Sequence, residues 1–418
     1  MESIVLNYKY NNIINNNIYI TGSKSESNRL LIIKKLFKKK KLKLINLSNS
    51  RDTKIMIKSL KNDNKKILNI KDAGTVMRFL ISYFSIKKNN KIILIGTKRM
   101  NNRPILDLVT ALNNLGALIK YKGKIGYPPI LIKGKKIINN KIYINSNISS
   151  QFLTSIILIS YKLKNGLTIY LHNKITSSSY IKMTINILKK LKIDIKKKKK
   201  KIIIKYKKNI NVKKYIIESD WSSASYYYSI ISLLNNNVKL ILKYFKKKSL
   251  QGDNIIYKIY KKYFGVKTIF KKNKIIIQKT NKKLFFKKIK INLKSTPDIA
   301  QTIILTCSEL KIKCLLTGLK TLKVKETNRL KALKKELKKI GVITNINNQS
   351  IEIIKFKKIN KNNIFIKTYN DHRMAMSFSI LAIKNKNIII DNPSTVNKSY
   401  PNFWKDLKKI GFLIKKKI

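Results

Sequence analysis

Leu330, Leu333, Leu337 and Ile340 recur at three- and four-residue spacing, and Gly341 stands where the series stops. That period puts apolar side chains on one stripe of a helix, and a glycine is the usual residue just past its end. The pattern predicts a helix after Val324. A second helical pattern runs from Ser25 to Lys38, with Leu30, Leu31, Ile33 and Phe37 in register, behind a short strand-like run at Ile18–Ile20. The longest apolar stretch, Phe152 to Leu163, is interrupted by Thr154, Ser155, Ser160 and Lys162. It falls short of the roughly 18 unbroken apolar residues of a membrane-spanning helix and reads as a core helix. Strand-like runs alternate with helical ones throughout, which favours an α/β or α+β enzyme.

Several predicted helices open on residues whose oxygens accept free backbone N–H groups: Ser149-Ser150-Gln151, Ser222-Ser223, Asp298 after Pro297, and Asp371. A helix N-terminus also suits phosphates and carboxylates, because it carries partial positive charge and unpaired donors. The residue pattern itself shows no internal repeat and no Gly/Pro-rich linker.

With 418 residues, 44% of them hydrophobic, the chain can bury a large core and is long enough for two or three domains. Its first residues lack the basic start and apolar run of a signal peptide. The two cysteines, Cys307 and Cys314, form neither a disulfide framework nor a metal-site spacing. A reduced cytoplasmic compartment is therefore expected. The formal charge of +76 changes this picture less than its size suggests. The excess is lysine spread from end to end among many Ile and Asn, three residue types that share A/T-rich codons. Nucleic-acid and membrane-binding proteins concentrate charge on one face and use arginine for forked contacts. Runs such as Lys38–Lys41 and Lys197–Lys201 read as solvated helix faces or loops, and no specific nucleic-acid or membrane partner is expected.

Against the lysine background seven arginines stand out: Arg29, Arg51, Arg78, Arg99, Arg103, Arg329 and Arg373. Only a guanidinium offers a planar, bidentate anion contact. All but Arg51 fall in unusual strings, which suggests a site holding small anions by fixed geometry. For Arg78 and Arg99 an ordinary buried ion pair is an equal reading.

Those strings are GSKSESNR (Gly22–Arg29), DAGTVMR (Asp72–Arg78), RMNNRPI (Arg99–Ile105), SSQFLTS (Ser149–Ser155) and ESDWSSASY (Glu218–Tyr226). TPDIA (Thr296–Ala300), KVKETNRL (Lys323–Leu330), TYNDHRMAM (Thr368–Met376) and Lys398 in TVNKSYP complete the series. In this order, across nearly the whole chain, they resemble the enolpyruvyl transferase family, in the branch that joins phosphoenolpyruvate to shikimate 3-phosphate. The resemblance implies an α+β fold of the α/β prism type. Two inside-out domains would each hold three βαβαββ units, with helices inside and sheets outside. One discontinuous domain would span residues 1–20 and 221–418, and an inserted domain 21–220, with the active site in the cleft between them. The implied chemistry is addition of the 5-hydroxyl to C2 of phosphoenolpyruvate as C3 is protonated, followed by loss of phosphate. The implied protein is a monomer with two small anionic substrates and no metal or cofactor.

Carried over residue by residue, the resemblance makes Asp298 the base for the 5-hydroxyl, with a helix cap as its other reading. Glu326 would handle the proton at C3, with a salt bridge to Arg329 as its other reading. Lys24 would touch both substrates. Shikimate 3-phosphate would also meet Ser25, Arg29, Ser149, Ser150, Gln151, Ser177, Tyr180, Asp298 and Lys325. Phosphoenolpyruvate would meet Gly74, Arg103, Gln151, Arg329, Arg373 and Lys398. At Gly74 a missing side chain would let the ligand approach the backbone. His372 reads as a packing or hydrogen-bonding residue.

The chain departs from the family pattern at four places. Thr21 replaces a Pro, Asp72 an Asn, Thr321 an Asn that often touches the shikimate ligand, and Ser178-Ser179 a Lys-Pro pair. A sister transferase acting on a UDP-sugar would need a reactive cysteine and lacks GSKSESNR. An RNA cyclase would need a histidine such as His372, in a different context from DHRMAM.

Overall fold

The computed structural model describes residues 2–9, 15–37, 42–144, 149–172, 178–234, 238–281, 286–359 and 362–417. The chain divides into two compact units, Met1–Gly22 with Glu218–Ile418, and Ser23–Ile217. An antiparallel bridge between Gly22 and Ser219, and a 3.1 Å bond from Asp220 N to Thr21 O, tie these residues to the first unit.

One sheet pattern recurs. In the first unit it comprises Ile364–Ile366, Ile388–Asp391, Ser3–Tyr8 and Phe412–Lys417, in that spatial order. The same order of roles is taken by Asn15–Ile18, Lys239–Lys243, Lys274–Lys279 and Val266–Lys271, and by Lys288–Asn292, Lys313–Thr317, Ile351–Phe356 and Val342–Ile346. In the second unit it is taken by Ile67–Asn69, Asn90–Ile95, Ile130–Gly134 and Leu118–Tyr121, and by Lys141–Ile144, Leu167–Leu171, Lys201–Ile204 and Ile195–Lys197. Each begins with a parallel pair and continues with two antiparallel pairings. A sixth parallel pair joins Lys214–Ile216 to Lys43–Ile45. An internal repeat that the residue pattern does not show is thus present in the strand order. Topology repeats while the apolar residues that fill it do not.

A parallel pair needs a crossover, and here the crossovers are buried helices. Ala300–Glu309 is buried at every residue, Gly74–Ser85 at all but Thr75, and Trp221–Leu233 at all but Ser222. The strands alternate instead; in Lys288–Asn292 only Ile289 and Ile291 face inward. Helices inside and half-solvated sheets outside is the expected inside-out arrangement. Buried hydroxyls along these helices pair with one another, as in Ser229–Thr306 at 2.7 Å and Ser225–Thr302 at 3.0 Å, so packing them leaves these groups hydrogen-bonded.

Local departures from expectation have local causes. The first helix is Lys24–Leu36, started by the Ser23 cap, and the strand before it is Asn15–Ile18. The helix after Val324 begins at Arg329, where Asn328 accepts from Lys331 N at 3.2 Å, and a 3-10 turn occupies Lys320–Val324. Leu330, Leu333 and Leu337 are buried as expected, and Gly341 adopts φ +75° at its end. Asp220, rather than Ser222 or Ser223, caps its helix by accepting from Ser223 N at 2.8 Å. Asp298 does not occupy the cap position of its helix, which is Ile299, because it lies within the 3-10 turn Pro297–Ile299. Ser149 and Asp371 do cap, accepting from Gln151 N at 3.3 Å and Arg373 N at 2.9 Å. Phe152–Ser160 is a buried helical run, and among the described residues no helix is long and apolar enough to cross a membrane. Lys197–Lys201 lies at a hairpin turn, whereas Lys38–Lys41 falls outside the described residues.

Like charges on the exposed strand faces repel over about 10 Å at 0.1 M salt and less at higher salt. The thermal midpoint should therefore rise by several degrees between about 0.02 and 0.3 M NaCl, read by circular dichroism. A flat or falling midpoint would show that the lysines are not in net repulsion.

Candidate functional site

In the first unit the site is built around Arg329, the first residue of its helix and 1% exposed. Its Nε donates to Asp371 Oδ2 at 2.8 Å, its Nη1 to Asp298 Oδ1 at 3.0 Å, and its Nη2 to Glu326 Oε2 at 2.9 Å. Nη2 also reaches Asp371 Oδ1 at 3.3 Å. Burial works against this guanidinium, but Asp371, Glu326 and Asp298 outweigh burial and the repulsion of Arg373, so its pKa is raised. One cation thereby fixes three carboxylates brought by three different segments.

Further cations complete the set. Lys325 Nζ lies 3.4 Å from Asp298 Oδ1 and Arg373 Nη2 3.5 Å from Asp298 Oδ2. Arg373 Nη1 also donates to the Asp298 carbonyl at 3.1 Å. Lys398 Nζ stands 3.6 Å from Glu326 Oε1. Asp298, Glu326, Lys325, Arg329, Arg373 and Lys398 are thus gathered in one place. The Glu326–Arg329 salt bridge exists, and it leaves Glu326 in the same group as Asp298. His372 is buried beside Asp371, its Nδ1 3.8 Å from Oδ1.

The second unit gathers the remaining candidates in smaller groups. Lys24 opens its helix and pairs with Asp52 at 3.2 Å. Arg29, one turn on, is buried; it donates from Nε to Thr184 Oγ1 at 2.8 Å, from Nη1 to Ser25 O at 2.7 Å and from Nη2 to Tyr180 O at 3.4 Å. Phe79 and Tyr180 rings flank its Cζ at 5.5 and 6.0 Å. Burial lowers its pKa to about 10, which keeps it charged at neutral pH. These bonds hold the guanidinium plane fixed and leave one N–H on each terminal nitrogen.

At Gly74 the space beside the backbone is taken up by a side chain. A Cβ there would overlap Arg103 Nη1, so the missing side chain makes room for Arg103 itself. Arg78 pairs with no carboxylate among the described residues. Its Nη1 and Nη2 donate to the Gly74 and Pro104 carbonyls, both at 3.1 Å, and burial beside Arg103 pushes its pKa well down. Arg78 thus bonds the backbone on both sides of the Arg103 contact. The ion-pair reading of Arg78 is corrected accordingly. Arg99 keeps a buried Nη2 without a hydrogen-bond partner among the described residues. Gln151 Nε2 donates to Thr75 Oγ1 at 3.3 Å, which joins the Ser149-Ser150-Gln151 helix start to the Gly74 helix. Asp72 stands 3.8 Å from Arg51. Ser177 lies outside the described residues.

Sequence reasoning missed Asp371 as the closest partner of Arg329, Asp52 as the partner of Lys24, and Thr184 as a fixed acceptor for Arg29. Asp371 had a signal, since it sits in one of the unusual strings. Asp52 and Thr184 are 28 and 155 residues from their partners, and no local pattern encodes such pairs.

The profile of the family EPSP synthase (3-phosphoshikimate 1-carboxyvinyltransferase) matches residues 56–407. A 3-phosphoshikimate 1-carboxyvinyltransferase of Bacteroides fragilis strain YCH46 is 38% identical, over 95% of this chain and 96% of the relative. One from Buchnera aphidicola subsp. Cinara cedri is 38% identical over 95% of each. The structure of EPSP synthase from Acinetobacter baumannii aligns over 100% of both chains with a TM-score of 0.78 at 18% identity, a likeness of fold.

Arg329→Met strands three carboxylates that now share one cation. The loss of stability should be about 3–5 kcal/mol in urea titrations at neutral pH. It should shrink as pH falls through the carboxylate range near 4, where protonation removes the stranded charges. A loss under about 1 kcal/mol would show that Arg329 does not hold this group together.

Proposed function

The chain belongs to the EPSP synthase family of 3-phosphoshikimate 1-carboxyvinyltransferases, and from that premise we propose that it transfers the enolpyruvyl group of phosphoenolpyruvate to the 5-hydroxyl of shikimate 3-phosphate, releasing phosphate. The observation that carries this reading is the Arg329 hub, which anchors a candidate base and a candidate acid, Asp298 and Glu326, on one guanidinium.

Both substrates are phosphate-bearing carboxylates. Two unit charges about 4 Å apart repel by roughly 4 kcal/mol at an effective dielectric near 20, so the protein must supply cations to both. Lys24, Arg103, Arg329, Arg373 and Lys398 take phosphoenolpyruvate, with Gly74 making room for Arg103 and Gln151 adding a side-chain amide. Lys24, Ser25, Arg29, Ser149, Ser150, Gln151, Ser177, Tyr180 and Lys325 take shikimate 3-phosphate. Asp298 accepts the 5-hydroxyl proton as the oxygen bonds to C2, while the Glu326 carboxyl delivers a proton to C3. In the second step the C2–O bond to phosphate breaks and Glu326 recovers a C3 proton, which forms the enol ether, while the proton held by Asp298 leaves with the phosphate. Lys398, 3.6 Å from Glu326, favours the ionised form that Glu326 takes between the two steps. The same reading makes the protein a cytoplasmic monomer that works on free small-molecule anions without metal or cofactor.

The UDP-sugar reading would require an accessible thiol, and Cys307 and Cys314 are both fully buried. Purified protein should release phosphate only when phosphoenolpyruvate and shikimate 3-phosphate are both present. Turnover with a UDP-amino sugar would sink the assignment. Asp298→Ala and Glu326→Gln should each lower kcat at least about a hundredfold in this assay, the usual scale for a general acid or base. A near-normal rate in either variant removes that residue from the chemistry.

A further inference from the structure

We propose that Asp253 is a positioning residue for this reaction, acting through Asp298: its carboxylate opposes the cations around the base and keeps that base able to accept a proton. The inference rests on the reading of Asp298 given above. Asp253 is a buried residue of the 3-10 turn Gly252–Ile255, and Ser222 Oγ donates a hydrogen bond to its Oδ2. Ser222 belongs to the helix Trp221–Leu233, which packs against both the turn carrying Asp253 and the turn carrying Asp298. Gln251 fixes this arrangement, accepting from Trp221 N at 3.0 Å and donating to Ser219 O at 2.8 Å.

Asp298, Arg373 and Asp220 act on Asp253 through their charge and Ser222 through its hydrogen bond. Burial, followed by the charge of Asp298, pushes its carboxyl up to about 6, against Arg373 and the Ser222 bond. The relation to Asp298 is mutual, because each ionised carboxylate disfavours the ionised form of the other. Asp298 meets Arg329, Lys325 and Arg373 at 3.0, 3.4 and 3.5 Å. Cations that close make a carboxylate a weak proton acceptor. A second carboxylate, bonded to a neutral hydroxyl, restores part of the lost basicity. When the 5-hydroxyl proton passes to Asp298 and the oxygen bonds to C2, the repulsion between the two carboxylates is relieved, which favours the forward step.

The test is kcat and KM for phosphate release between about pH 5 and 9, in wild type, Asp253→Asn and Ser222→Ala. Removing the second charge should lower the kcat plateau about tenfold and move the acid limb down by about one pH unit, with both KM values within about twofold. Ser222→Ala deletes the bond that favours ionised Asp253, so its limb should move up instead. A merely structural role would lower the urea midpoint without moving either limb. Folded Asp253→Asn with the wild-type limb overturns the inference; if that variant does not fold, an unmoved limb in Ser222→Ala does. Wild-type protein that releases no phosphate sinks the functional reading itself, whereas active wild type with unmoved limbs sinks this inference alone.

Discussion

Arg329 has almost no access to water, and an isolated guanidinium in such a place would cost several kcal/mol. It is stable there because Asp371, Glu326 and Asp298 converge on its five N–H groups at 2.8 to 3.3 Å. The constraint also acts outward. Each carboxylate comes from a different segment, so satisfying the one cation sets where the turn Pro297–Ile299, the loop before Arg329 and the start of helix His372–Phe378 must lie. Lysine could not do this, since a single ammonium lacks the planar fork that holds three partners in fixed directions. In a chain that uses lysine almost everywhere else, this geometry is a physical reason for arginine here.

The repeated sheet explains why the groups arrive at helix starts. Every parallel pair described here needs a crossover, and in an inside-out unit the crossover is a central helix with sheets around it. Its first turn is the one place on such a helix where backbone donors stay unpaired and an apolar residue is not demanded. Asp298, Arg373, Asp220, Gly74 and Ser149 all sit at or just before such a first turn. The fold therefore concentrates polar chemistry at a few positions while the rest of each helix, as in Ala300–Glu309, is given over to burial.

Much of this was legible in the sequence, for identifiable reasons. The strings around Arg329 and Arg373 stood out because scarce arginines recurred beside helix-start residues, and apolar spacing alone located Leu330, Leu333 and Leu337 in the core. The repeat was invisible because strand order is a backbone property, satisfied equally by Ile–Ile–Ile in one sheet and Leu–Ile–Lys in another. Asp298 misses the cap position of its helix because Pro297 opens a 3-10 turn ahead of it, where three cations surround the carboxylate. That Arg103, from a loop 29 residues away, fills the space beside Gly74 is likewise not encoded locally. Pairings at long range have no local signature, and the partners Asp52 and Thr184 could only come from the fold.

The two groups of residues differ in how their cations are paired. Around Arg329 three carboxylates meet four cations, Arg329 itself with Lys325, Arg373 and Lys398. Carboxylates can be kept buried only if cations accompany them. Around Gly74 no such pairing is present: Arg78 and Arg103 lie together, and neither has a carboxylate partner among the described residues. Arg78 tolerates this because the Gly74 and Pro104 carbonyls take its donors. Arg103 has no equivalent bonds from its guanidinium among the described residues, so the repulsion between the two guanidiniums is offset by carbonyl contacts on the Arg78 side alone.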